Sequence, residues 1–198
     1  MAKENQFITA VGTALYPSLR TPETFEGNEI GYTVKVIFSQ EETNKMEKHL
    51  LKLLEEAKSL PEMEGKKWGN APTIGMGETQ DGEVFFKFKK KSSYVSKKSG
   101  QLINTTVPIF DAMGKTLPAN IDIGNGSQVK VAYTVYPFNK SRQIQGLSLR
   151  LEAVQVIKLV ERGAGNQDAG SFGFDSVEGG YVAPTPDEFP PADEGADF

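Results

Sequence analysis

Apolar and polar side chains alternate along much of this chain, and the period of two predicts a mainly β protein. Tyr32, Val34, Val36 and Phe38 fall on one face of the run 32–38, the pattern of a strand with one side in a core. Val129, Val131, Tyr133 and Val135 repeat it, and Leu147, Leu149 and Leu151 begin a third strand that reads to about Val160. The phase of that third run changes near Ala153-Val154, where both faces turn apolar, so a β-bulge is predicted there. Weaker strand patterns cover Phe7 to Leu15, Glu83 to Lys91 and Gln101 to Ile109, which brings the expectation to five or six strands.

One segment has a different period. Ser39 followed by Glu42 carries the signature of a capping box, and Met46, Leu50, Leu53, Leu54, Ala57 and Leu60 make one apolar stripe that Pro61 ends, so an amphipathic helix is predicted over about 40–60. A single helix among strands suits a small barrel with a lid, the plan of the OB-fold. A β-sandwich with one packed helix is the alternative that strand count and alternation leave open. Residues 61–82, with Gly65, Gly69, Pro72, Gly75, Gly77 and Gly82, read as a long loop, and the chain has no internal repeat.

Charge divides the chain in two. Residues 163–198 hold eight acidic side chains and no Lys or Arg, whereas residues 1–162 hold 22 basic and 18 acidic ones. Like charges at that density, with Pro and Gly between them, cannot bury enough apolar surface to offset chain entropy, so a disordered acidic tail (163–198) is expected after one folded domain (1–162). The absence of cysteine excludes disulfides, thiolate metal sites and cysteine nucleophiles. No apolar h-region opens the sequence and no run of eighteen apolar residues occurs, so a soluble, non-secreted protein without a membrane partner is expected.

The densest chemistry lies in the segment from Glu83 to Lys98. As a strand it sends Val84, Phe86 and Phe88 inward and Phe85, Lys87, Lys89 and Lys91 outward, with Tyr94, Lys97 and Lys98 following. Ammonium groups neutralise phosphates, and unpaired bases stack on rings at ~1–3 kcal/mol each, so a face that mixes both fits single-stranded nucleic acid. A solvated lysine face guarding an edge strand is the plainer reading of this segment alone. The pattern recurs, however: Lys130, Tyr136 and Phe138 point outward from the strand at 129, Lys140 and Arg142 follow in its loop, and Lys35 and Arg150 are outward cations on the other alternating strands. Tyr16 and Arg20, in a proline-containing loop after the first strand, are further candidates, although Tyr16 could equally pack inside. These residues point to one shared groove.

Enzyme chemistry has few footholds. The one histidine, His49, sits beside Leu50 on the helix and is expected to be exposed, with no second histidine for a metal site or proton relay. No Gly-rich phosphate loop ending in Lys-Ser/Thr occurs, and Gly75-Met76-Gly77 lacks the third glycine of a dinucleotide fingerprint. No enzymatic activity, metal or cofactor is expected.

Several stretches carry a family resemblance: Tyr16-Pro17-Ser18-Leu19 with Pro22 and Phe25, Ile123 to Val131 around Gly124-Asn125-Gly126-Ser127, Gly146 to Ile157, and the ending Asp197-Phe198. Together the chain resembles the single-stranded DNA-binding proteins of bacteriophages, the T7-type family with an OB-fold core and an acidic tail closing on phenylalanine. The resemblance implies a sequence-independent single-stranded DNA-binding protein of phage replication and recombination, working in the cytoplasm of an infected bacterium, with homodimerisation left open. It also implies that the tail, through Asp187, Glu188, Phe189, Asp193, Glu194, Asp197 and Phe198, competes with DNA and docks onto phage or host replication proteins such as polymerase or helicase-primase. A strand-annealing recombination mediator, and an adaptor that binds no DNA but mimics it with its tail, are the alternatives.

Overall fold

The computed structural model describes residues 6–161. The acidic tail and its seven candidate residues, Asp187 to Phe198, lie outside them. In chain order the elements are β1 (Gln6–Ile8), β2 (Gly12–Phe25), β3 (Asn28–Ile37), α1 (Gln40–Lys58), β4 (Met76–Glu78), β5 (Val84–Lys90), β6 (Ser93–Val95), β7 (Leu102–Asn104), β8 (Ile109–Phe110), β9 (Gln128–Asn139) and β10 (Gln145–Lys158).

Five of these strands close into a barrel. β2 pairs with β3, β3 with β5, β5 with β10, β10 with β9, and β9 returns to β2 through Gly12↔Val129. All of these pairings are antiparallel except β5 with β10, which run parallel. A closed five-stranded sheet with one helix is the OB-like barrel, and closure removes the open edges of its central strands. β1, β4 and β8 extend the sheet, while β6 and β7 pair only with each other.

Alternation explains the core. Val34 and Val36 from β3, Phe86 and Phe88 from β5, Val129, Val131 and Tyr133 from β9, and Leu147, Leu149 and Leu151 from β10 are all buried in one cluster with Leu50, Leu54 and Ala57 of α1. The predicted bulge is present between Leu151 and Ala153 of β10, and it swings Val154 and Val156 into the core. At the start of α1 the Ser39 Oγ accepts the Glu42 N–H at 3.4 Å. The Glu42 carboxylate accepts from Lys45 Nζ instead of reaching back, so the box is half formed.

Five expectations are corrected here. The first strand does not run from Phe7 to Leu15: it breaks between β1 and β2, and β2 continues to Phe25 through the segment read as a loop. Pro17 and Pro22 are tolerated because register shifts interrupt the β2–β3 ladder between Leu15 and Ser18 and again before Glu23, where a missing N–H costs no ladder bond. The loop 61–82 carries a short 3-10 turn at Pro61–Met63 and β4, and its residues fill a seam in the barrel. Beyond Leu149↔Phe88 the parallel strands part, and Thr73 bridges Gly146 while Lys87 N–H donates to Gly75 O at 2.8 Å. Gln101 to Ile109 is not one strand but β7 and the start of β8, separated by Thr105–Pro108. Finally, Leu60 falls beyond α1 and is at the margin of exposure, while His49 is half-buried, its ring edge-on to Phe7 at 4.9 Å and its Nε2 without a hydrogen-bond partner.

Candidate nucleic-acid interface

Because β3, β5, β10 and β9 send alternate residues into the core, the intervening ones form rows on the outer face. One row is fixed entirely by register: Thr33 opposite Lys89, Lys89 beside Arg150, and Arg150 opposite Thr134. In a second row Lys35 lies opposite Lys87 on the first pair of strands, and Ser148 lies opposite Tyr136 on the last pair. Farther along, where β5 and β10 have parted, Ile37 lies opposite Phe85, which pairs with Gly77 of β4, and Gly146 lies opposite Phe138.

Cations and rings are interleaved on this face. The Arg150 guanidinium lies over the Tyr136 ring, with Cζ 3.8 Å from its centroid. Lys35 Nζ lies 4.6 Å from the Phe85 centroid and 5.5 Å from that of Tyr16. Such contacts hold the rings in place while leaving the cations charged and available to an anion. Tyr136 is 49% exposed and Tyr16 66%, so both offer ring surface. Phe85 is half-buried, and a Cβ on Gly77 would come within 2.6 Å of its Cζ, so this ring lies across the glycine and is less open than alternation implied.

The lysines crowd one another. Partial desolvation among its neighbours, with repulsion from Lys87 and Lys140, holds the Lys89 ammonium below the ordinary lysine range. A bound phosphate would relieve that repulsion. At the two ends of the Lys89–Arg150 row, Thr33 Oγ1 donates to Glu23 at 2.9 Å and Thr134 Oγ1 to Glu152 at 3.1 Å, so carboxylates flank a cationic centre.

The other candidates are distributed as follows. Lys140 and Arg142 are exposed in the β9–β10 turn, and Phe138 is half-buried just before it. Lys130 lies on the same outer face but opposite Gln155, four positions along β9 from Thr134. Lys91 falls after the end of β5 and so leaves the alternation, and Tyr94, Lys97 and Lys98 belong to the separate β6–β7 hairpin. Arg20 is not available to a ligand: its guanidinium donates to the carbonyls of Leu117 at 2.9 Å, Pro118 at 2.7 Å and Ile121 at 3.3 Å. Tyr16 is the ring that sequence reasoning left undecided. It adopts φ +46° at the β2 bulge, with its N–H donating to Asn125 Oδ1, and this turns its side chain outward beside Lys35. Among the described residues no cluster of His, Cys, Asp or Glu could hold a metal ion, and no helix is long and apolar enough to cross a membrane.

Comparison with known proteins gives a consistent result. A single-stranded DNA-binding protein of Enterobacteria phage T3 is 32% identical over 117 residues, 58% of this chain and 48% of that protein. The chain thus spans about half the length of the curated relatives it matches. The crystal structure of gp2.5, a single-stranded DNA-binding protein encoded by bacteriophage T7, superposes with a TM-score of 0.66 at 26% identity, covering 90% of this chain and 98% of that one. The single-stranded DNA-binding protein of bacteriophage Enc34, solved in complex with ssDNA, shares the fold with a TM-score of 0.59 at 14% identity, over 80% of this chain and 89% of that one. The family model described as single-stranded DNA-binding protein, bacteriophage T7, matches residues 16–159, and the chain belongs to that family.

Proposed function

We propose that this protein coats single-stranded DNA without sequence preference during phage replication and recombination, in the cytoplasm of the infected bacterium, and carries out no catalytic step. The observation that carries the reading is the outer face of β3, β5, β10 and β9, where Lys35, Lys87, Lys89 and Arg150 alternate with Phe85, Tyr136 and the neighbouring Tyr16. Phosphates need the cations, and bases need the rings. A duplex buries its base faces and could use only the charge. Lys140 and Arg142 would guide the strand at the β9–β10 turn, and Lys130 would meet it further along β9.

The tail completes the proposal. Its eight carboxylates are tethered to a body with a net positive charge, so they compete with DNA at high effective concentration and are released for replication proteins when DNA displaces them. The test is a salt titration of binding to oligo-dT and to a duplex of equal length, with and without residues 163–198. Log affinity for the single strand should fall linearly with log salt, by about 0.7 for each phosphate contacted. Tail removal should raise affinity, most at low salt, and bring out weak duplex binding. A salt-insensitive complex would contradict the groove, and weaker binding of the truncated chain at every salt would contradict the competition.

A further inference from the structure

The β6–β7 hairpin has features that the barrel face does not absorb. Its pairs are Ser93↔Asn104, Tyr94↔Ile103 and Val95↔Leu102, and neither strand pairs with the barrel. Directly opposed residues share a face, so Tyr94 and Ile103 lie on one side and Val95 and Leu102 on the other. All four are open to solvent, at 51%, 38%, 61% and 65% exposure respectively. A two-stranded hairpin this short is marginal alone, and cross-strand apolar pairs left this open to solvent add only ~0.2–1 kcal/mol each. Its root, by contrast, is fixed. Thr105 donates its N–H and its Oγ1 to the carbonyls of Ser92 and Lys91, and the hydroxyl of the buried Tyr32 donates to Thr105 O at 2.9 Å.

Charge narrows the choice of partner. From Val84 to Phe110 the sequence has six lysines and no Asp or Glu, and Lys97 and Lys98 stand exposed at the hairpin turn. A second copy would bring these lysines against their own kind, and three-residue strands offer far less than the ~800 Å² per partner of a stable dimer. An anion with planar apolar faces fits both features. The hairpin also starts near the candidate groove along the chain: only Lys90, Lys91 and Ser92 separate Lys89 from β6, so at ~3.3 Å per residue Ser93 lies within ~13 Å of Lys89.

We propose that the hairpin is a blade that enters between successive bases of a single strand leaving the barrel face. One base packs on Tyr94 and Ile103, the next on Val95 and Leu102, and Lys97 and Lys98 take the flanking phosphates. An apolar pair on each side of a narrow element is what insertion between bases requires. The inference rests on the reading that the barrel face binds single-stranded DNA.

The experiment measures binding of the full chain to dT oligonucleotides of graded length. The variants are Val95→Ser/Leu102→Ser and Lys97→Ala/Lys98→Ala, with Arg150→Ala as the barrel control. Oligonucleotides that fill only the barrel face should bind parent and hairpin variants alike. Longer ones should bind the parent about tenfold more tightly than the Val95/Leu102 variant. The Lys97/Lys98 variant should lose about 1.4 from its log-salt slope on the long oligonucleotides only. If Val95→Ser/Leu102→Ser fails to fold, a chain with a Gly-Ser turn in place of residues 93–104 should give the same length-dependent loss. Equal affinities of parent and hairpin variants at every length, with Arg150→Ala weakened, would overturn the blade and leave the barrel reading standing. An Arg150→Ala variant that binds like the parent at every length would instead overturn the barrel reading. A hairpin variant that lowers the sedimenting mass without changing DNA affinity would assign the hairpin to self-association and overturn the proposal.

Discussion

At the scale of single residues, exposure separates two rings that the sequence treated alike. Tyr136 stands half-exposed under Arg150, whereas Phe85 lies across Gly77 with Lys35 on it. Tyr136→Ala should therefore weaken single-strand binding by ~1–3 kcal/mol and leave the thermal midpoint nearly unchanged. Phe85→Ala should lower both affinity and midpoint, because part of that ring is packed; paired melting and binding curves distinguish the two. Lys89 supplies a pH test. Its ammonium is depressed in the free protein, and a phosphate would raise it, so DNA binding should take up a proton and affinity should fall as pH rises toward the ordinary lysine value of about 10.4. Lys89→Arg, which does not titrate there, should flatten that part of the profile, and an identical pH dependence in both proteins would exclude the role given to Lys89.

At the scale of elements, what was legible followed the strength of the periodic signal. β3, β9, β10 and α1 were readable because each carries a long run of one period, and even the β10 bulge showed as a phase change at Ala153. β2 was missed beyond Leu15 because Pro17, Pro22 and a positive φ at Tyr16 break its pattern where tertiary contacts still hold the strand. β4 and the barrel seam were hidden because their order comes from backbone bonds to distant strands, to which side-chain pattern is blind. Of the candidate site, the outward lysines of β5 and the Tyr136–Arg150 neighbourhood could be inferred by alternation, but which rows meet is a matter of register. Gly146 marks the seam most sharply: it has φ +136°, and a Cβ there would lie 1.9 Å from Thr73 O. Gly146→Ala should cost about 2–4 kcal/mol in denaturant unfolding, since backbone on both sides must move. A variant as stable as the parent would show that the seam is soft.

At the scale of the molecule, a closed barrel supplies a curved face, and the sequence places all 22 Lys and Arg in residues 1–162 and a block of eight carboxylates after them. Closure fixes which strands are neighbours, neighbours fix the rows, and the rows bring Lys87, Lys89 and Arg150 together from two parallel strands far apart in sequence. In the proposed function these cations neutralise the phosphates of a single strand. That role is tested most directly by the slope of log affinity against log salt for oligo-dT, measured on the chain and on Lys87→Ala/Lys89→Ala/Arg150→Ala. The slope should be shallower by about 2 in the triple variant, with the fold intact by circular dichroism; an unchanged slope would show that these cations meet no phosphates.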